Sequence, residues 1–331
     1  MLKKLLAVLF AATLLAGCAK AQSLETQIAD NPEASGEVTP KERPFLWVIE
    51  GEVPSYLYGT IHLPDPRVTT LPPVVEQAIL ASDELNTEIP MDLFTMGRAA
   101  FAMIAPAGER LSAVLPADLY QRADAILQEY NQSISTYENF KVWGLLAILP
   151  QLEYISKGQT EALDQKIYSF AIQNGKKAGG IESVNEQLSV FDSTSQEDLL
   201  SLLRTTIEQI EKSKSEAGES PTELLLRGYL TGDMDTVVDY VQEEQDPDDP
   251  VQQRFMQKLL GDRNHRMAER IDKKLTDDPE RSYFFAIGLL HYPLEDGLLE
   301  LLAGRGYTIT RLEPGMELPV RKAVAVGNTG E

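Results

Sequence analysis

Cysteine and histidine are nearly absent from this 331-residue chain: the one cysteine is Cys18, and the three histidines are His62, His265 and His291. A single thiol cannot close an intramolecular disulfide and cannot build a cysteine-ligated zinc or iron–sulfur site. Basic residues are also short, with 30 Lys and Arg against 51 Asp and Glu, a formal charge of −21. So acidic a surface repels nucleic acid and anionic head groups, and no basic patch offsets it, so no nucleic-acid partner is expected. No Gly-x-Ser-x-Gly elbow and no Walker loop occurs, which leaves serine-nucleophile and P-loop chemistry without support. Beyond the first residues, no run is long and apolar enough to cross a bilayer as a helix.

What is present begins with an address. Lys3 and Lys4 precede an apolar core, Leu5 to Leu15, too short for a permanent spanning helix, and Leu15-Ala16-Gly17-Cys18 closes it. This resembles a bacterial lipoprotein signal, in which residues 1–17 are removed and Cys18 becomes the lipidated N-terminus. The alternative is an ordinary secretory leader with an incidental cysteine. Lipidation would leave the mature chain without a thiol and would fix it to a membrane of the cell envelope. Ala19 in place of Asp then points to the outer membrane, facing the periplasm, if the host has two membranes. Residues 18–43 are rich in Ala, Gln, Ser, Glu, Asn and Pro without apolar periodicity and are expected to be a flexible tether. Residues 44–314 are expected to form one α/β domain and 315–331 a polar tail.

Within the domain, strand patterns sit at the two ends and helical patterns in the middle. Phe45 to Glu50 and Tyr56 to Gly59 read as two strands about a turn, and Leu85 to Glu88 as a third. Pro72 to Ala81 has helical spacing with proline in its first turn. Helices are expected over Met91–Pro106, Pro116–Tyr130, Tyr137–Ile155 and Leu163–Asn174. Gly175 to Glu182 reads as a turn feeding a short strand. Helices again dominate from Val184 to Leu275, broken near Ser213–Pro221 and at the acidic Glu243–Pro250 loop. Strand Tyr283–Ile287, helix Asp296–Ala303, a Gly304-Arg305-Gly306 cap and strand Tyr307–Leu312 complete the chain. The predicted fold is α/β: a mixed sheet formed by the N- and C-terminal thirds, with a large helical middle.

Two of the three histidines fall into one pattern. Gly59-Thr60-Ile61-His62-Leu63-Pro64 and Gly288-Leu289-Leu290-His291-Tyr292-Pro293 share Gly, His and Pro at the same offsets, each after an apolar strand. In an open α/β sheet, such strand-end segments build the ligand crevice. Neutral imidazole is a common ligand for Zn, Mn, Fe or Co, and a catalytic ion keeps a position open for water. Two histidines make an incomplete ligand set. Glu88 and Glu182, each at the carboxyl end of a predicted strand, are the carboxylates placed to finish it, one as ligand and the other as general base.

Plainer readings stand beside these. A strand-end histidine is often a hydrogen-bonded core side chain, and either glutamate could be a surface carboxylate. His265 lies in a charged helical stretch and reads as a solvated face. The Met91–Met103 cluster reads as core-facing helix rather than a cofactor box. Asp246 to Asp249 lacks the glycine and spacing of a calcium loop.

The order of these motifs, with Gly175, Gly180-Ile181-Glu182, Glu186-Gln187-Leu188, Gly228 to Asp233 and Arg263-Asn264 between them, resembles the TraB/GumN family from about Trp47 to Leu312. That family is similar to the Tiki metal-dependent proteases, which share two Gly-x-x-His motifs and an intervening glutamate. The resemblance implies a metal site at His62, His291 and Glu88, with Glu182, Arg263 and Asn264 as catalytic neighbours. It implies a metal-dependent hydrolase that cleaves peptide or other small amide substrates with one divalent ion (Mn, Co, Zn or Fe). The alternative from another class is a non-catalytic lipoprotein that holds haem, metal or another ligand with the same histidines.

Overall fold

The computed structural model describes residues 43–215, 221–244, 248–293 and 296–321. The leader, Cys18 and the tether up to residue 42 lie outside the described residues, as do Asp246 and the end of the tail.

Six strands form one mixed sheet: β1 (Leu46–Ile49), β2 (Ser55–Thr60), β3 (Glu84–Thr87), β4 (Lys177–Gly180), β5 (Tyr283–Gly288) and β6 (Ile309–Arg311), in the spatial order β4-β3-β5-β2-β1-β6. β1 and β2 are antiparallel, with Leu46 opposite Tyr58, and β6 runs antiparallel to β1. β2, β5, β3 and β4 run parallel to one another, and the registers bring Thr60 opposite Gly288 and Thr87 opposite both Ala286 and Gly180. The N- and C-terminal thirds therefore supply five of the six strands, and the helical middle supplies only β4. β1, β2 and β5 are buried along their whole length, as continuous apolar runs require when both faces of a sheet are covered. Edge strands β4 and β6 are part-exposed.

β3 is the polar strand of the set. Its Glu84 is paired with Lys274 and Arg281 at 2.7 and 3.1 Å, so the charge is met at the strand's start while Leu85, Asn86 and Thr87 go inward. β4 ends in two glycines for a steric reason: a side chain at Gly180 would run into the backbone of Ile89 and Pro90, where the chain leaves Glu88.

Two apolar cores follow. One surrounds the sheet; the other lies among the middle helices and includes Trp143 stacked on Phe191 at 5.1 Å between ring centroids. Helix starts have visible causes: Asp92 accepts from the amides of Phe94 and Thr95, and Ser183 and Glu186 make a reciprocal capping box before helix Val184–Asp192. Gly306, at φ +95°, ends the last helical segment in the left-handed region, as the Gly304-Arg305-Gly306 pattern predicts.

Three details differ from the sequence reading. The predicted Tyr137–Ile155 helix is broken into Val142–Ile148, a tighter turn at Leu149–Gln151 and Leu152–Ser156, because Pro150 has no amide hydrogen to continue the ladder. The predicted Met91–Pro106 helix is shorter, Leu93–Ala102; it buries Met96 and Ala99 but exposes Leu93 (86%), Phe94 (73%) and Phe101 (78%). Finally, the start of the expected tail packs on the domain, where the Tyr56 hydroxyl donates to Pro319 O at 2.6 Å and Arg321 pairs with Asp83.

Candidate active site

Because β4, β3, β5 and β2 run parallel as neighbours, their carboxyl ends lie along one edge of the sheet. The residues that follow them are Glu182, Glu88, His291 and His62 in that order. Positions far apart in the sequence thus become neighbours through strand order alone. Helix Asp262–Asp277 adds Arg263 and Asn264, and helix Leu163–Gln173 adds Asp164. All seven side chains are buried, Arg263 at 0% exposure and Glu88 at 1%.

Glu88 is the centre. Its Oε1 accepts from the Gly288 amide at 2.8 Å and stands 3.4 Å from His62 Nε2 and 3.8 Å from His291 Nε2. Its Oε2 accepts from Arg263 Nη2 at 2.7 Å and from Gln187 Nε2 at 2.9 Å. Each imidazole is fixed from behind. His62 Nδ1 lies 2.7 Å from Asp164 Oδ2, whose other oxygen accepts from Thr60 Oγ1 at 2.7 Å. His291 Nδ1 lies 2.5 Å from Asn264 Oδ1, and Asn264 Nδ2 donates to Asp296 O at 2.7 Å.

Carboxylate and amide oxygens only accept, so both Nδ1 atoms carry the proton and both Nε2 atoms turn to the same carboxylate oxygen. For His291 that assignment is reinforced by Arg263 Nη1, which donates toward Nε2 at 3.2 Å.

The motif glycines have a steric role. A Cβ at Gly288 would lie 2.9 Å from Glu88 Oε1 and 3.1 Å from His62 Nε2, and one at Gly59 would lie 2.7 Å from Leu289 Cδ1. Each motif's glycine makes room for the other motif. Tyr292, next to His291, stacks on Trp47 with centroids 4.8 Å apart and donates to Tyr58 O at 3.1 Å, which pins the turn that carries the histidine.

The electrostatics are uneven. Burial alone would raise Glu88, but Arg263 and the two imidazoles hold it well below the usual carboxylate range. Burial opposes charge on His62 as well, yet Asp164 and Glu88 outweigh it and lift the imidazole to about 10. Burial and the Arg263 guanidinium push His291 down to about 3. One histidine therefore holds its second proton and the other refuses it. Glu182 faces cations instead: its Oε2 accepts from Arg263 Nε at 2.8 Å, and Arg266 Nη2 lies 3.4 Å from its Oε1.

Among the described residues, no group of three or more His, Cys, Asp or Glu side chains stands in metal-holding geometry. His62 and His291 both turn Nε2 toward Glu88 Oε1, within 4 Å. An ion bonded at about 2.1 Å to nitrogen and oxygen ligands sets neighbouring donors about 3.4 Å apart in a tetrahedral shell. The His62 edge, at 3.4 Å, matches, and the His291 edge, at 3.8 Å, is longer by a few tenths of an ångström. In donor chemistry the set fits a divalent ion: two Nε2 atoms and a carboxylate oxygen converge, each Nδ1 has its outer partner, and the buried carboxylates Glu88 and Glu182 share the buried Arg263 guanidinium.

A family model described as TraB/PrgY/gumN matches residues 45–311. The chain belongs to that family. Among curated relatives, Metalloprotease TIKI2 of Xenopus tropicalis is 27% identical over 322 residues, 84% of this chain and 61% of the relative. Metalloprotease TIKI1 of Homo sapiens is 27% identical over 322 residues, 84% of this chain and 63% of the relative. A Metalloprotease TIKI homolog of Nematostella vectensis is 25% identical over 333 residues, 86% of this chain and 70% of the relative. The chain thus spans less than two thirds of the length of the first two. No solved structure gives a significant match.

In this TraB/PrgY/gumN chain, the structure brings His62, His291, Glu88, Arg263 and Asn264 into direct contact, with Glu182 behind Arg263. His265 stays on an exposed face, 3.4 Å from Asp296. Sequence reading assigned no role to Asp164, Thr60, Gln187 or Arg266. Asp164 resembles any first-turn helix acid, and only its burial at 1% sets it apart. Among the described residues, no helix is long and apolar enough to cross a membrane.

Proposed function

We propose that this chain is a metal-dependent hydrolase of peptide or other small amide bonds, held in the cell envelope by a lipid on Cys18 and, in a two-membrane host, facing the periplasm from the outer membrane. The observation that carries the enzymatic part is the convergence of His62 Nε2 and His291 Nε2 on Glu88 Oε1, with both Nδ1 protons fixed by Asp164 and Asn264. The relatives' name, metalloprotease, supports the same reading.

In this reading His62, His291 and Glu88 hold one divalent ion (Mn, Co, Zn or Fe), which when bound would polarise an amide carbonyl and acidify a water. The chain's own groups do the positioning. Asp164 and Asn264 keep both imidazoles in the tautomer whose Nε2 faces the site. Gln187, Arg263 and the Gly288 amide hold Glu88 in one rotamer. Arg263 donates to Glu88, Glu182, Leu259 O and toward His291, so it acts on the carboxylates rather than on an oxyanion. Glu182, with Arg263 on one oxygen and Arg266 near the other, acts through Arg263 as a positioning residue. The cavity at the histidines is only about 40 Å³, which favours a hydrolase over a haem carrier.

The test is hydrolysis of a peptide library by the purified protein, before and after chelation and with each of the four metals restored. Cleavage lost on chelation, recovered with one metal and absent in His62→Ala supports the proposal; no cleavage under any metal, or cleavage that survives chelation and the substitution, overturns it. The anchor is tested separately by lipid labelling, which Cys18→Ala should abolish.

A further inference from the structure

The imidazoles open onto a cavity with a chemical character of its own. It lies between the site and two segments of the helical region, and its walls are Leu225, Tyr229, Leu259, Leu260, Leu289 and Leu290. His62, His291 and Thr60 form its polar side. The polar atoms there are already engaged: Thr60 Oγ1 donates to Asp164, Tyr229 Oη donates to Gly59 O at 2.8 Å, and Leu259 O accepts from Arg263. What faces the space is hydrocarbon, apart from the imidazole edges. Water in such a space finds few of the two to four partners it needs. An aliphatic group would fill it with gain.

We propose that this cavity receives the aliphatic side chain that flanks the scissile amide, so that the enzyme selects bonds next to Leu, Ile or Val. The inference rests on the hydrolase reading above and adds the substrate class. Size is compatible with it: the cavity, about 40 Å³, has room for more than a single water and so for a small branched aliphatic side chain. Charge supports it as well, since a carboxylate or ammonium placed among these leucines would be desolvated without a partner.

Leu260 and Leu290 are half-buried at the cavity's rim, which makes Leu260 the position at which size can be changed with least disturbance of the core. Leu260→Ala enlarges the space and Leu260→Phe fills it. The experiment measures kcat/KM on a peptide series that differs only in the flanking residue (Ala, Leu, Phe, Asp, Lys), with the metal-loaded protein and both variants. The wild type should favour Leu over Ala by about 10-fold or more, since each methylene in such a pocket changes the rate about 10–200-fold. Asp and Lys should be cleaved more slowly still. Leu260→Ala should move preference toward Phe, and Leu260→Phe toward Ala. A folding defect slows all substrates alike and leaves the ratios where they were. Cleavage without bias, or with bias that neither variant moves, overturns the inference while leaving the hydrolase reading in place. Absence of cleavage on every peptide with every metal overturns both.

Discussion

At the scale of single residues, the site is organised by one carboxylate oxygen. Glu88 Oε1 has a backbone amide on one side and two imidazole nitrogens on the others, and Gly288 leaves the room for this. Gly288→Ala should push Glu88 and His62 apart with little effect on the strand itself. Calorimetric titration with Mn²⁺ or Zn²⁺ should show at least about a 10-fold loss of affinity, the size of change that displaced ligand supports give. Asp164→Asn keeps the shape but removes the carboxylate behind His62, and the expected loss is about 10–100-fold in metal affinity. Unchanged affinity in both variants would contradict the role given to Glu88. The paired histidines were legible in the sequence because histidine is rare and both occurrences share Gly and Pro at fixed offsets. Asp164 was not legible: a lone acid in the first turn of a helix is ordinary, and nothing local announces that its partner sits on another strand.

At the scale of elements, parallel strand order converts four separate strand ends into one row, and helix Asp262–Asp277 lays Arg263 across it. This helix is preceded by a widened π-type turn, Gln257–Gly261, which brings Leu259 and Leu260 to the cavity and puts the Leu259 carbonyl on Arg263. Such turns gather at functional sites. Helical spacing through Phe255 to Leu260 predicts a helix and gives no sign of the extra residue, because the widening depends on tertiary contacts. Strand and helix positions at both ends of the chain were readable from apolar runs and caps, whereas the breaks around Pro150 were smoothed over. Arg263→Met leaves Glu88 and Glu182 buried without their cation, and denaturant unfolding should show a loss of about 3–5 kcal/mol. A second link is weaker. Arg67 joins Asp65, just after the first motif, to Glu223 on helix Pro221–Thr231 at 2.9 and 2.6 Å, with all but Asp65 substantially solvated. Arg67→Ala should cost no more than about 1 kcal/mol in the same assay, as exposed pairs do.

At the scale of the whole molecule, two thirds of the chain far apart in sequence close one sheet, and stability should follow the titration of what they enclose. His62 is raised from 6.5 to about 10, so its contribution in the metal-free protein is complete below pH 6.5 and fades as pH climbs toward 10. His291 is lowered from 6.5 to about 3, so its contribution is complete above pH 6.5 and fades toward pH 3. Glu88, held well below 4.5, adds a further loss on acidification below that value. Thermal melts of the chelated protein should therefore peak near pH 6.5 and fall on both sides; His62→Gln should flatten the alkaline side, and a melting curve that is flat from pH 6.5 to 10 in the unsubstituted protein would contradict the assignment. A cation must also displace the His62 proton, so metal affinity should rise with pH across the same interval.

The most direct measurement is equilibrium dialysis of the purified protein against Mn²⁺, Co²⁺, Zn²⁺ and Fe²⁺, with metal content read by mass spectrometry, for the unsubstituted protein beside His62→Ala and His291→Ala. The account predicts one tightly held ion per chain for at least one metal and none in either variant. Equal metal content in all three proteins, or none in any, would contradict it.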